Sequence, residues 1–268
     1  MLTRLLFLTF LFTPFVGLTQ TFDIKGSDTM YPLARELADA YMSENAGTTI
    51  LVQGGGSSTG IRAMKKAQVG IALVSRQLQA KEKEEIPTVK HQVVAYDALS
   101  IIVHPSNQVS ELSIEQIKDI FTGKITNWKE VGGRDEAIIV CTRDEDSGTY
   151  GFMQENIMKG EGFRASAHTS PSNSGVVQYV SKQSAAIGYV GLAYAEDIIK
   201  TVAVKEGNKP AVMPTFRNAM ERKYPITRPL SFYYMPSRAA QVKKFIDFVM
   251  SSEGQRLTAY EGYIPAKF

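Results

Sequence analysis

Apolar residues recur along this chain in short blocks that switch between strand and helix periods. Phe22-Asp23-Ile24-Lys25 reads as a strand running into Gly26. Pro32 suits the first turn of a helix, and Leu33, Leu37, Ala38 and Tyr41 fall on one face at helical spacing until Asn45 to Gly47 ends it. Thr49-Ile50-Leu51-Val52 predicts a second strand, which feeds the glycine-rich stretch Gly54 to Gly60. A helix with Ile61, Met64 and Ala67 inward follows, and Val69 to Val74 predicts a third strand that ends at Ser75-Arg76. Strand and helix alternate, which predicts an α/β chain with a largely parallel sheet and helices on its faces. In such sheets ligands bind beyond the carboxyl ends of the strands.

The charged run Lys81 to Glu85 predicts a solvated helix face. Beyond it the alternation restarts. Ala98 to Val103, Ala137 to Thr142 and Ala185 to Val190 predict strands, with helices over Ser113 to Phe121 and from about Thr149. Arg228 to Tyr234 predicts a late strand, and the last helix holds Val242, Phe245, Ile246 and Val249 on one face. No internal repeat or low-complexity linker interrupts the pattern.

Three predicted strand-to-helix junctions share one chemistry. They are Gly26-Ser27-Asp28-Thr29, Gly54 to Gly60, which contains Ser57-Ser58-Thr59, and Asp146-Ser147-Gly148-Thr149. Free N–H groups at helix starts, with hydroxyls beside them, suit an anion. Arg143 stands four residues before Ser147 and can supply a forked cationic contact. Each junction taken alone is equally well an ordinary capped helix start. The second also fits G-x-S-x-G at Gly56 to Gly60, the setting of a hydrolase nucleophile, with Ser58 in that role and His91, His104 or His168 as base. No Walker loop, no dinucleotide fingerprint and no zinc-ligand spacing is present, so neither a nucleotide cofactor nor a metal is expected.

Composition narrows the class. The 268 residues are 44% hydrophobic and 21% charged, as in ordinary globular proteins. A net charge of +3 is too mild for a nucleic-acid partner and does not repel an anion. Residues 1–20 have the layout of a secretory signal peptide: a short basic start at Arg4, an apolar run from Leu5 to Leu18, and a small polar end. Cys141 is the single cysteine, which predicts a buried structural thiol, no internal disulfide, and no lipid-anchoring cysteine after the leader.

Several further motifs fall in a fixed order with these loops. They are Gly26 to Ala34, Gly54 to Gly60, Ser75-Arg76, Ile120 to Trp128, Arg143 to Thr149, Asn173-Ser174-Gly175-Val176-Val177 and Ala186 to Val190. In that order and spacing the chain resembles the phosphate-binding protein family, the periplasmic component of the high-affinity phosphate importer of the ATP-binding-cassette class. The resemblance covers nearly all of residues 22–268. It implies a two-lobed periplasmic-binding-protein fold of type II, each lobe a mostly parallel sheet flanked by helices, with the ligand in the interlobe cleft. Lobe 1 is expected at 21–98 and 225–268, and lobe 2 at 99–224.

The resemblance also implies an exported periplasmic monomer, without catalysis or cofactor, that delivers inorganic phosphate to permease subunits in the membrane. Carried over by motif, the contacts are Ser27, Thr29 and the Met30 amide, then Ser57, then Arg143, Ser147, Gly148 and Thr149, with Ser75 and Arg76 beside them. Some relatives place an Asp where Arg76 stands, and many have one at the position of Gly70. Neither acid is present here. Asp28 is therefore the expected acceptor for the proton that phosphate keeps near neutral pH, with Asp146 second. Two rivals stand beside this reading: a binding or sensor protein of the same fold for another oxyanion, and a serine hydrolase using Ser58.

Overall fold

The computed structural model describes residues 20–267, so the expected leader lies outside the described residues except for Gln20. A 10-stranded sheet runs through them. One flank is parallel: strand Gln20–Gly26 lies between Thr48–Gln53 and Ile71–Val74. So is the other, where Ile139–Arg143 pairs with Ala186–Gly191 and His168–Ser170. The centre is antiparallel and is built on two strands, Lys90–Val103 and Thr227–Tyr234. The alternation of strand and helix predicts the parallel flanks but not this centre. Parallel neighbours need a helical crossover; the two central strands are far apart in the chain, so no local pattern announces their pairing.

The strand Lys90–Val103 is 14 residues long and serves both halves of the sheet. Its first part, to Ala98, pairs with Thr227–Tyr234, and Leu99 to Val103 pair with Ala186–Gly191. Burial divides at the same place. One core gathers Ile24, Leu37, Phe232 and Phe245 with Ala95 and Leu230. Another gathers Phe121, Trp128, Val140 and Tyr189 with Ala98 and Ile226.

The helices follow their apolar faces. Tyr31–Glu44 has Pro32 in its first turn and buries Leu33, Ala34, Leu37, Ala38 and Tyr41. Ala80–Glu85 buries nothing, as a charged run predicts. Ser57–Lys65 buries Ile61 and Met64 but ends before Ala67, which is exposed at φ 54°. Ala63 takes the inward place instead. Ala239–Val249 buries Val242, Phe245, Ile246 and Val249, yet it is not the last helix. Ser252–Tyr260 follows it, capped by the Ser251 side chain. Its buried positions, Gly254, Gln255 and Thr258, are small or polar, so it has no apolar stripe to read. Cys141 is buried, and burial pushes its thiol up to about 12, which leaves it un-ionised and unreactive near neutral pH.

Candidate functional site

The three junctions meet at one point. Ser27 ends the strand Gln20–Gly26 and precedes the turn Asp28–Met30, which runs into helix Tyr31–Glu44. Strand Thr48–Gln53 feeds helix Ser57–Lys65, and Ile139–Arg143 feeds helix Gly148–Phe152. Ser27, Thr29, Ser57, Ser75, Ser147 and Thr149 are all buried. Ser27 Oγ donates to Ser75 Oγ at 2.9 Å, and Ser57 Oγ lies 3.5 Å from the same hydroxyl. Thr29 Oγ1 is 3.0 Å from Thr149 Oγ1, which ties the first loop to the third. Hydroxyls bonded mainly to one another can turn their protons toward a ligand without losing a backbone contact.

Two glycines let the loops close. A Cβ at Gly148 would collide with the hydroxyls of Ser57 and Ser75. Gly56 sits at φ 95°, and a Cβ there would strike the Asp146 carbonyl. Ser147 caps its helix by accepting from the Thr149 and Tyr150 amides.

Arg143 supplies the charge. It is 1% exposed. Its Nη2 donates to the Pro171 carbonyl at 2.9 Å, and its Nη1 lies 3.5 Å from Asp28 Oδ2. Its Nε and Nη1 are buried without a hydrogen-bond partner. Leaving a charged donor unmet in a protein interior is costly. Donors held in that state, together with rotatable hydroxyls and helix starts, have the chemistry that suits an oxyanion.

Four expectations need correcting. Asp28 has one oxygen already engaged: its Oδ2 accepts from the Asn173 N–H at 2.9 Å and from Asn173 Nδ2 at 2.8 Å, so that oxygen is not free for the ligand. Asp146 lies at the exposed mouth, gripped by Arg62 at 2.8 and 3.0 Å. Arg76 is buried but occupied. It forks onto Glu82 at 2.7 and 2.8 Å, donates to Ser58 Oγ at 3.0 Å and reaches the Gln77 carbonyl. Glu82, in the charged helix, reaches back to Arg76, so that guanidinium is neutralised away from the hydroxyls. The Met30 N–H donates to the Ser27 carbonyl at 3.1 Å, so the turn itself uses it.

Other groups escaped the sequence reading. Arg228 donates to Asp97 Oδ2 through Nε at 3.0 Å and Nη2 at 2.8 Å, and both residues are buried. Arg228 also reaches Thr29 Oγ1 and the Ser75 carbonyl, each at 3.3 Å. Burial pushes the Asp97 carboxyl up, while Arg228 and the Leu192 amide draw it back. Tyr194 and Tyr263 hydroxyls donate to the Asp28 and Thr29 carbonyls, each at 2.7 Å, and fix the first loop. The one signal for Arg228 was a charge heading an apolar strand. Asn173 stood in a recognised motif without a role.

The hydrolase constellation does not assemble. Ser58 Oγ accepts from Arg76, while His91 stacks on Tyr233, His168 stacks on Tyr179 and His104 bonds Ser106. Among the described residues no group of His, Cys, Asp and Glu could hold a metal ion, and no helix is long and apolar enough to cross a membrane.

The Arg62–Asp146 pair bridges the mouth with side chains 55% and 43% exposed. Arg62→Ala should weaken ligand binding by about 1 kcal/mol or less, because exposed pairs contribute little, and the difference should shrink at high salt. Titrations at two ionic strengths check this; a hundredfold loss would place Arg62 in the site itself.

Comparison with known proteins agrees with this geometry. Residues 17–253 match the family model of the PBP superfamily domain. The chain is similar to the phosphate-binding protein PstS of Bacillus subtilis, at 33% identity over 246 residues, which covers 90% of this chain and 79% of the relative. A crystal structure of a phosphate ABC transporter substrate-binding protein from Clostridium perfringens, with bound phosphate, aligns at TM-score 0.85 and 33% identity over 92% of this chain and 100% of that one. An ABC-type phosphate transport receptor from Vibrio cholerae aligns at TM-score 0.76 and 31% identity, covering 91% and 99%.

Proposed function

We infer the role of this chain from its family and its site together. The chain belongs to the PBP superfamily and, within it, to the PstS phosphate-binding proteins. It is a solute-binding protein that captures inorganic phosphate for an ABC-type phosphate transporter. The observation that carries this reading is the pair of unmet donors on buried Arg143, set among the hydroxyls of Ser27, Ser57, Ser75, Thr29 and Thr149. A guanidinium fork takes two oxygens of a tetrahedral anion, and hydroxyls and helix starts can take the others. In this reading the ligand is held and released unchanged, as in a solute-binding protein.

Release needs the halves to part. The lobes are taken as 21–98 with 225–268, and 99–224. The cores divide close to these bounds, between Ala95 and Ala98 and again between Ile226 and Leu230, with Ala98 and Ile226 packing in the core of the second lobe. The strands Lys90–Val103 and Thr227–Tyr234, which run between the lobes, serve as the hinge. Export by the segment 1–20, a monomeric periplasmic form, and docking of the closed form on membrane permease subunits complete the proposal; the leader's composition supports the first.

Calorimetric titration of the chain lacking residues 1–20, with phosphate, sulfate, arsenate and molybdate, tests the reading. Phosphate should saturate one site per chain, and absence of phosphate binding would end it. The same preparation should not cleave a simple aryl ester or phosphoester. Ser58→Ala should leave phosphate affinity within about tenfold, since it removes one hydrogen bond from Arg76, whose guanidinium keeps its fork onto Glu82. Ester turnover that disappears in this variant would restore the hydrolase.

A further inference from the structure

An unmet donor and an unmet acceptor flank one carboxylate oxygen. Asp28 Oδ2 lies 3.5 Å from Arg143 Nη1, an ion pair that leaves this buried donor without a hydrogen-bond partner. The same oxygen accepts from the backbone N–H and the Nδ2 of Asn173. Asn173 is 0% exposed, and its Oδ1 is buried with no hydrogen-bond partner. The amide cannot usefully turn over. Its Nδ2 donates to Asp28 Oδ2 at 2.8 Å and to Thr29 Oγ1 at 3.2 Å, and a flip would set oxygen against carboxylate oxygen. Asp28 therefore decides that the unmet atom of Asn173 is its acceptor. Thr29, which shares the Asn173 amide, is the residue that touches Thr149 across the site.

A ligand that satisfies both residues must bring acceptors for Arg143 and a donor for Asn173. A fully deprotonated oxyanion has only acceptors and would face Oδ1 lone pair to lone pair. An oxyanion that keeps one proton meets both. Resting on the phosphate reading above, we propose that Asn173 Oδ1 accepts the proton of bound monohydrogen phosphate and makes this site prefer phosphate to sulfate. Asp28 is the positioning residue that aims it. A neutral amide takes that proton without setting a further negative charge against the anion.

Phosphate and sulfate titrations of the wild type, of Asn173→Ala and of the swap Asp28→Asn with Asn173→Asp test the proposal. Asn173→Ala should lose roughly ten- to a hundredfold in phosphate affinity, the range for a hydrogen bond to a charged partner. Sulfate affinity should not fall, so the preference narrows. The swap keeps the net charge, a donor–acceptor pair between the two side chains and an acceptor oxygen at position 173, so the preference should return. It also decides the matter if Asn173→Ala does not fold. A wild-type ratio in Asn173→Ala, or loss of preference in the swap, overturns the role of Asn173 while leaving phosphate binding intact. A wild type that binds no phosphate overturns the phosphate reading instead.

Discussion

Replacing Arg143 by alanine should remove about 2–5 kcal/mol of phosphate binding, the range for deleting one partner of a buried charge pair. Its Nε has no hydrogen-bond partner, its Nη1 has only the Asp28 carboxylate as an ion pair at 3.5 Å, and its Nη2 holds the Pro171 carbonyl. The substitution therefore takes little from the free protein and much from the complex. Arg143→Lys should fall between the two, because an ammonium keeps the charge but cannot fork onto two oxygens. Calorimetry on the three proteins reads the difference directly. Phosphate affinity unchanged in Arg143→Ala would remove this residue from the site and leave the hydroxyl cluster without a cation.

The second large effect concerns stability. Asp97→Ala should lower the unfolding free energy by about 3–5 kcal/mol, because it strands Arg228 as an unpaired buried charge. Arg228 has its Nε and Nη2 on Asp97, and its other contacts, to Thr29 Oγ1 and the Ser75 carbonyl, are longer bonds to uncharged acceptors at 3.3 Å. Removing both charges together, with Asp97→Leu and Arg228→Met, should recover most of that loss, since a buried pair contributes little net stability beyond a well-packed apolar one. The recovered protein should still bind phosphate less tightly, as Thr29 and Ser75 lose the group that holds them. Urea unfolding of the ligand-free chain gives the first two values. A loss below about 1 kcal/mol in Asp97→Ala would mean that water reaches Arg228 and that the pair is not sealed.

Much of this was legible before any coordinates. The helix Tyr31–Glu44 and the strands around Gly26 and Arg143 follow from the period of apolar residues, which is a local property. The hydroxyls of the three loops follow from their place at strand-to-helix junctions, where backbone N–H groups are free by construction. The helix Ser252–Tyr260 was not legible, because it buries small and polar residues rather than an apolar stripe. The antiparallel centre was not legible either, because Thr227–Tyr234 finds Lys90–Val103 across the whole of residues 104–226.

The sequence by itself determined which chemical groups stand at the ends of the strands. Only the tertiary structure decided which of them are free to bind. Arg76 stands two residues past the end of Ile71–Val74 and Arg143 ends its strand, and both are buried. Glu82 neutralises the first at 2.7 Å, while the second keeps two donors unmet. Asp28 was the expected proton acceptor until the fold brought Asn173, 145 positions away, onto its inner oxygen. The physical reason is that hydrogen bonds and ion pairs are short-ranged and directional. A side chain's type fixes what it can donate or accept, and the partner that long-range packing sets against it decides whether that capacity is left for a ligand.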